Sequence, residues 1–306
     1  MPEAKPQVGF VGVGNMGWQM AACLVRAGFT VHVNDSRREV ANNFVQQVGG
    51  AVPDGLRELA AQSSVIITML PTSNIVRRVL VEGDDNILAG MRPGTVIIEM
   101  SSGEPAVTQE LAEQVRALGG SMIDAPVSGG VPRAKTGQLA IMAGGDADVI
   151  ETMVPVLKAM GSSVLRTGGV GSAQAMKALN NLVSTGGFLI GIEALLVGQR
   201  FGLDPAVMID ALNAATGMNN STQKKFKQFV LSRDFNGGFA LELLLKDLSI
   251  ALGVAQRTAT PAPLSALCKE MVAASVTMFG GQADHTEMAR LAERLAGEEL
   301  GDRGDG

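Results

Sequence analysis

The stretch VGFVGVGNMG, residues 8–17, places three glycines in the spacing G-x-G-x-x-G directly after an apolar run. In this spacing Gly12 permits a tight turn, Gly14 lets a phosphate approach the backbone, and Gly17 lets a helix pack closely on the strand. The amides at the start of that helix then face the phosphates. Because the motif follows a predicted strand and opens a predicted helix, it indicates a dinucleotide-binding turn rather than an ordinary strand–helix turn.

A second predicted strand, TVHVND, ends in Asp35, close to the offset of about twenty residues expected for a carboxylate that binds the cofactor ribose. Such a carboxylate accepts a hydrogen bond from a ribose 2′-hydroxyl and repels a 2′-phosphate. Arg37 and Arg38 follow at once; they could offset this repulsion, or they could be the solvated first turn of the next helix. We therefore expect NAD as the cofactor, with NADP possible.

The order of apolar runs along the chain predicts the fold class. Short β-branched runs alternate with helical patterns through the first half, which is typical of a doubly wound, parallel sheet of the Rossmann type. Beyond about Gly169 the strand-like runs end and a long apolar helix begins. We expect an NAD-binding domain over residues 1–169, an all-helical substrate and dimerisation domain over 170–297 joined by the long helix, and a disordered tail over 298–306.

Composition excludes several classes of function. The 306 residues carry a net charge of −5, one Trp and no Tyr, which argues against a nucleic-acid partner. Two cysteines cannot form a disulfide framework and the N-terminus lacks a signal-peptide pattern, so we expect a cytoplasmic protein. The apolar run 182–198 is short for a bilayer and contains Glu193, which favours a buried helix over a membrane span.

One lysine is isolated in GSAQAMKALNN, residues 171–181, because Glu193 is the only other charged residue between Arg166 and Arg200. A lysine ammonium is costly to bury without a partner. Lys177 therefore either reaches water as a structural lysine or serves a bound group. Asn181 lies one helical turn further on the same face, with Asn180 beside it. Hydride transfer from an alcohol needs a group that takes up the hydroxyl proton, and a desolvated lysine can do this.

The histidines are poorly placed for the same task. His32 alternates with valines in a predicted strand, and His285 lies near the C-terminal end, so both are interpreted as structural or solvent-facing. Cys23, Cys268 and the two histidines lack the spacing of metal ligands, and we expect no metal site. Elimination therefore favours lysine chemistry.

Six motifs resemble, in the same order, those of the β-hydroxyacid dehydrogenases, the family that includes 3-hydroxyisobutyrate dehydrogenase and tartronate semialdehyde reductase. The resemblance covers about residues 7–296, and the ordered set is far more specific than any one motif. The motifs are GFVGVGNMG, MLP (69–71), EMSSGEP (99–105), DAPVSGG (124–130), GSAQAMKALNN and LKDL (245–248).

The resemblance implies an enzyme that interconverts a small 3-hydroxy acid and its semialdehyde, as a homodimer or homotetramer. It implies that Lys177 donates and accepts the proton, and that Asn181, with Asn180, holds the substrate. Lys246 of the second domain would close over cofactor and substrate. The substrate carboxylate would bind to the amides and hydroxyl of Ser128, Gly129 and Gly130. The cofactor-binding residues expected from the turn and the resemblance together are Gly12, Gly14, Asn15, Met16, Gly17, Asp35, Leu70, Pro71, Ser102 and Lys246.

The sequence leaves the substrate open, but the pair Asn180-Asn181 and the segment 237–239 before Lys246 look most like 3-hydroxyisobutyrate dehydrogenase, so a 3-hydroxyisobutyrate-like acid is expected first. Asn180 stands where sugar-phosphate decarboxylating relatives have His, and Ser36 stands where NADP-using relatives have Arg. Asn219 and Asn220 replace a bulky aromatic of 3-hydroxyisobutyrate dehydrogenases, so a more polar substrate, as in tartronate semialdehyde reductases, is an alternative. An imine reductase is less favoured because such relatives usually lack the lysine. A non-catalytic dinucleotide sensor is the alternative from another class.

Overall fold

A computed structural model of the chain describes residues 5–301, which fall into two compact units. The first unit ends at Lys177 and the second begins at Ala178, so the division lies within one helix. The domain boundary predicted between residues 169 and 170 lies just before this helix and stays a prediction.

The first unit is built on a sheet that has eight strands within the described part of the chain. The spatial order is β2-β1-β3-β4-β5-β7-β6, and β8 also pairs with β7. The strands are β1 (Val8–Val11), β2 (Val31–Asn34), β3 (Val65–Thr68), β4 (Val96–Glu99), β5 (Ser121–Asp124), β6 (Val127–Ser128), β7 (Leu139–Gly144) and β8 (Gly161–Gly168).

The pairing is parallel from β2 through β5, as the alternation of strands and helices predicts. Beyond β5 the sheet is mixed, which the predicted parallel sheet did not include: β7 runs antiparallel to β5 and β6 and parallel to β8. Residues 129–138 between β6 and β7 are fewer than the dozen or more that a parallel crossover needs, which suits the antiparallel pairing of these two strands.

Helices cover both faces of this sheet. Ile66 and Ile97 belong to one buried cluster, and their neighbours Ile67 and Ile98 belong to another on the opposite face. Burial on both faces explains why these strands are continuous apolar runs in the sequence. The helices are α1 (Asn15–Arg26), α2 (Arg38–Val48), α3 (Leu56–Ala61), α4 (Ser73–Val81), α5 (Ile87–Gly90), α6 (Pro105–Ala117), α7 (Gly130–Lys135) and α8 (Ala147–Met160).

The second unit is helical, as predicted. Residues 219–232 do not form one continuous helix, because Lys225 leaves the helical conformation (φ −127°, ψ −46°) between a short α-helix and a π-helical segment. The elements are α9 (Ser172–Phe201, which begins in the first unit), α10 (Pro205–Ala214), α11 (Asn220–Lys224), the π-helical segment Phe226–Leu231, α12 (Leu241–Arg257), α13 (Pro263–Phe279), the 3₁₀ turn His285–Glu287 and α14 (Met288–Ala296).

Within residues 5–301, α9 is the only helix whose length and composition would let it cross a membrane. The core helix of a folded protein passes the same test, so the finding is weak evidence for a span. Phe188, Ile192 and Leu195 on α9 are fully buried in the core of the second unit, which supports the interpretation of α9 as a core helix.

The predicted disordered tail is partly ordered. Leu300 is completely buried, and its amide donates to Glu293 Oε1 at 2.9 Å. Glu298 Oε1 accepts from Gln199 Nε2 at 2.8 Å. Burial of Leu300 gives residues 298–301 a packing partner that their polar composition does not reveal. Residues 302–306 of the predicted tail lie outside the described residues.

Candidate active site

The glycine turn has the geometry that its sequence predicts. Gly12 has φ +95°, and a Cβ there would lie 2.3 Å from the carbonyl oxygen of Met69. A Cβ on Gly17 would lie 1.8 Å from the carbonyl oxygen of Gly12. A Cβ on Gly14, the N-cap of α1, would meet no atom within 4 Å. Gly12 and Gly17 are therefore required by packing, whereas Gly14 leaves the N-terminus of α1 accessible, which fits a pyrophosphate there.

Asp35 ties the end of β2 to this turn. Its Oδ2 accepts from the amide of Val13 and its Oδ1 from the amide of Arg37, each at 3.0 Å. The Arg37 side chain is exposed, with Nε 3.9 Å from Oδ1. The carboxylate thus lies beside the start of α1, where Asn15 and Met16 are the first helical residues. This position suits a ribose-binding carboxylate.

The remaining cofactor and substrate candidates of the first unit lie at the carboxyl ends of β3, β4 and β6. Leu70 and Pro71 follow β3, where the Leu70 amide donates to Ser101 Oγ at 2.8 Å, and Ser102 follows β4. Ser128 forms part of β6, and Gly129 and Gly130 have φ of +134° and +67°. Ligands of open α/β sheets bind at this edge of the sheet.

Two buried carboxylates at the same edge were missed as functional residues in the sequence. Glu99 and Asp124 are the last residues of β4 and β5 and are direct register partners. Asp124 Oδ1 accepts from the Gly171 amide at 2.7 Å and Oδ2 from the Gln174 amide at 2.9 Å, so Asp124 holds the first turn of α9. The only signal in the sequence was their place in two of the family motifs.

Gln174 links α9 to this pair. Its Nε2 donates to Glu99 Oε2, and its Oε1 accepts from Thr108 Oγ1 at 2.6 Å. Glu99 Oε1 accepts in addition from the Ser101 amide at 2.8 Å. Because Lys177 comes one turn after Gln174, these contacts fix the part of α9 that carries Lys177.

Burial affects the protonation of the two carboxylates by raising their pKa values. It raises the pKa of Glu99 to about 7, against the hydrogen bonds from Ser101, and the neighbouring Asp124 raises it further. Burial also raises the pKa of Asp124 above its usual range. Near neutral pH, Glu99 is therefore divided between its protonated and ionised forms.

In the second unit Asn181 is oriented by a residue of α12. Asn181 Nδ2 donates to Asp247 Oδ2 at 2.6 Å, and Asn181 Oδ1 accepts from Asn180 Nδ2 at 3.2 Å. Asp247 is buried, and its Oδ1 lies 3.5 Å from Lys246 Nζ. The structure thus brings together three predicted site residues of the second unit, Asn180, Asn181 and Lys246. It adds Asp247, which the sequence presented only as the neighbour of a lysine.

Asn219 has a structural role that the sequence did not predict. Its Oδ1 accepts from the amides of Ser221 and Thr222, and its Nδ2 donates to the carbonyl oxygen of Gly187 at 3.4 Å. Asn219 therefore caps α11, and Asn220 is exposed. The polarity of Asn219 therefore has a structural cause.

Both histidines are buried. His32 is buried in β2, where burial lowers its pKa. His285 is buried in the 3₁₀ turn, with Nδ1 3.3 Å from Asp284 Oδ1. Across residues 5–301 no cluster of three or more His, Cys, Asp or Glu side chains is arranged to hold a metal ion.

Two sequence families match the chain. Residues 7–169 match the NAD-binding domain of 6-phosphogluconate dehydrogenase, and residues 171–292 match the NAD-binding of NADP-dependent 3-hydroxyisobutyrate dehydrogenase. The chain belongs to the β-hydroxyacid dehydrogenase family. As a member of this family it is an oxidoreductase that binds NAD(P), and the predicted combination of a Rossmann-type domain with a helical domain is confirmed.

Relatives in the family cover almost the whole chain. The 2-(hydroxymethyl)glutarate dehydrogenase of Eubacterium barkeri is 33% identical over 295 residues, which are 96% of this chain and 97% of the relative. The 2-hydroxy-3-oxopropionate reductase of Escherichia coli is 33% identical over 294 residues, covering 96% and 99%. The solved structure of Mycobacterium tuberculosis 3-hydroxyisobutyrate dehydrogenase with L-serine has a TM-score of 0.87 at 30% identity, covering 94% of this chain and 99% of that one.

Proposed function

We propose that this β-hydroxyacid dehydrogenase interconverts a small 3-hydroxy acid and its semialdehyde, with NAD as the preferred cofactor. The observation that carries the proposal is the arrangement along α9. Asp124 and Gln174 hold its first turn, and Lys177 and Asn181 follow one turn apart on one face. A lysine fixed in this way is suited to proton transfer.

Lys177 is assigned the transfer of the substrate proton. As a neutral amine it would accept the proton of the substrate hydroxyl while the carbonyl forms, and as an ammonium it would return the proton in the reverse reaction. Bound NAD would supply the hydride acceptor. Asn181 has two amide hydrogens, and because one is donated to Asp247 the other is available to orient the substrate oxygen.

The substrate carboxylate is assigned to the loop of Ser128, Gly129 and Gly130. The positive φ angles of the two glycines turn successive amides into a concavity that suits an anion. Within the second unit Asp247 Oδ1 lies 3.5 Å from Lys246 Nζ, and the family resemblance assigns Lys246 to cofactor and substrate. We also propose a homo-oligomer in the cytoplasm; two free cysteines suit a reducing compartment.

Relatives within the family differ in the substrate for which they are named. 2-Hydroxy-3-oxopropionate is tartronate semialdehyde, a small polar substrate, whereas 2-(hydroxymethyl)glutarate is a dicarboxylate. The capping role gives the polarity of Asn219 a structural cause, so this residue alone does not favour tartronate semialdehyde over a 3-hydroxyisobutyrate-like substrate. Lys177, which imine reductases usually lack, counts against that activity.

A screen of NADH formation tests the proposal. The panel is 3-hydroxyisobutyrate, glycerate, L-serine, 3-hydroxypropionate and 2-(hydroxymethyl)glutarate, with tartronate semialdehyde assayed in the direction of reduction. We expect turnover of at least one of these compounds, and a higher kcat/KM with NAD than with NADP. Tight NADH binding without turnover of any compound would instead support the dinucleotide sensor.

A further inference from the structure

The segment that follows α10 packs on α9 at two points. Asn219 Nδ2 lies 3.4 Å from the carbonyl oxygen of Gly187. A Cβ added to Gly187 would also lie 3.4 Å from this nitrogen. Phe226 stacks on Phe188 with ring centroids 5.3 Å apart, and a Cβ on Gly191 would lie 2.6 Å from its ring. Since Gly187 and Gly191 allow these approaches, the position of the segment between Asn219 and Phe226 on α9 is determined by packing.

This packing places Lys225 against α9. Its Nζ lies 3.5 Å from Ser184 Oγ and 5.6 Å from the centroid of the Phe188 ring, a cation–π contact. Among the described residues no carboxylate forms a salt bridge with Lys225 within 4 Å. Asp284 is the carboxylate that acts on it electrostatically, and Oδ2 of Asp284 accepts from the amides of both Gly238 and Phe239.

Lys225 carries its charge at neutral pH. Burial lowers its pKa to about 8, while Asp284 raises it. An ammonium that is largely removed from water and has no carboxylate within salt-bridge distance is costly to maintain unless a ligand or the assembled site compensates. Lys225 also stands directly before the π-helical segment, and π-helical turns occur frequently at functional sites.

The contact with Ser184 brings the ammonium of Lys225 near Asn181, the residue that we assign to hold the substrate. Ser184 lies three positions after Asn181 on α9, on the same face and about 5 Å further along the helix axis. A substrate held by Asn181 would therefore meet the hydroxyl of Ser184 and the ammonium of Lys225 one helical turn beyond its reacting end.

We propose that Lys225 and Ser184 bind a second carboxylate of the substrate. The preferred substrate is then a 3-hydroxy acid whose carbon 2 carries a side chain that ends in a carboxylate. This inference rests on the proposed function. A single ammonium beside a hydroxyl donor matches one carboxylate with charge-assisted hydrogen bonds, and a methyl group in its place would leave the ammonium unpaired.

The test compares two substrates that differ in that group alone: 2-(hydroxymethyl)glutarate, and 2-(hydroxymethyl)pentanoate, which has a methyl group in place of the distal carboxylate. We expect the wild type to prefer the dicarboxylate by at least about tenfold in kcat/KM, equivalent to about 1.4 kcal/mol. Lys225→Met should lower this preference at least about tenfold, and Lys225→Arg should retain most of it. The matched control is Lys224→Met, at the exposed neighbouring lysine, and it should leave the preference unchanged.

Two results would overturn the inference. The first is equal use of both substrates by the wild type. The second is a Lys225→Met variant that loses activity on both substrates to the same degree, because such a loss would indicate a structural role for Lys225. If the enzyme turns over neither of these two substrates but accepts another compound of the screen, the inference fails and the proposed function stands. If it turns over no compound of the screen, the proposed function fails, and calorimetric titration with glutarate and pentanoate decides about the subsite. Tighter binding of glutarate that is lost in Lys225→Met would support the subsite, and equal binding of the two acids would overturn it.

Discussion

At the scale of single residues, Asp35 carries the argument for cofactor choice. Each of its two oxygens accepts a hydrogen bond from a backbone amide, so the position of the carboxylate beside the glycine turn is set by the main chain. A carboxylate at that position would repel a 2′-phosphate, whereas the exposed side chain of Arg37 would attract one. The balance between the two charges decides between NAD and NADP.

We predict that Asp35→Asn lowers the ratio of kcat/KM for NAD over NADP by about tenfold or more, because the repulsive charge is lost while Arg37 and Arg38 remain. Steady-state kinetics with both cofactors measures this ratio. Asp54→Asn, at an exposed carboxylate that contacts Arg38, is the control and should leave it unchanged. An unaltered ratio in Asp35→Asn would contradict the assignment of Asp35 to the ribose.

A second prediction at this scale concerns Glu99. Its pKa is about 7 in the folded chain against 4.5 for an ordinary glutamate, so the folded state retains a proton that the unfolded state loses between these values. The free energy of unfolding should therefore fall as the pH rises from about 4.5 to about 7, by up to about 3 kcal/mol.

Chemical denaturation across this pH range checks the prediction. Glu99→Gln cannot titrate, so its free energy of unfolding should fall less steeply with pH than that of the wild type. Glu104→Gln, at an exposed glutamate, should follow the wild type. Equal pH dependence in wild type and Glu99→Gln would mean that Glu99 is ionised throughout the range.

At the scale of elements, a glycine of α9 allows an aromatic ring of the second unit to pack closely on this helix. In the sequence Gly186, Gly187 and Gly191 interrupt an apolar run, and in the structure Gly191 lies under Phe226. Phe226 is fully buried and stacked on Phe188, so its ring has little freedom to move away from an added methyl group.

We predict that Gly191→Ala destabilises the chain by about 1–3 kcal/mol through overpacking. Gly186→Ala is the matched control in the same helix, because its Cβ would lie 3.7 Å from Cys268 Sγ, an ordinary contact. Alanine is the better helix former, so this control should be neutral or stabilising by up to about 1 kcal/mol. Denaturation midpoints compare the two, and similar midpoints would show that the site under Phe226 can relax.

The same elements show what the sequence could predict. Strands β1 to β5 and most helices follow from local periodicity, and the glycine turn from a spacing with a known geometry. Asp124 capping α9 and Asp247 orienting Asn181 join residues that are 47 and 66 positions apart. No local pattern encodes such pairs, and the antiparallel β7 depends likewise on tertiary pairing.

At the scale of the whole molecule, α9 exposes apolar side chains at regular intervals. Val183, Ile190 and Val197 are 75%, 63% and 69% exposed and recur every seven residues. Exposed apolar stripes of this kind mark protein interfaces, and a heptad spacing suits packing against another helix. We propose a second copy of this chain as the partner.

Sedimentation velocity at micromolar concentration should show the wild type as a dimer or tetramer. The double variant Ile190→Glu with Val197→Glu should shift the protein toward the monomer, because two charges would be buried in the interface. Gln256→Glu, an exposed position on α12, is the control. A monomeric wild type would contradict the proposal.

The central claim is that Lys177 transfers the substrate proton. Lys177→Met keeps the apolar stem and removes the amine, so kcat for the best substrate of the screen should fall by about 10²–10⁴-fold, with the Kd for NADH, from fluorescence titration, within about threefold of wild type. Lys158→Met, at an exposed lysine of α8, should leave both values unchanged. A Lys177→Met variant that retains wild-type kcat with intact NADH binding would contradict the account.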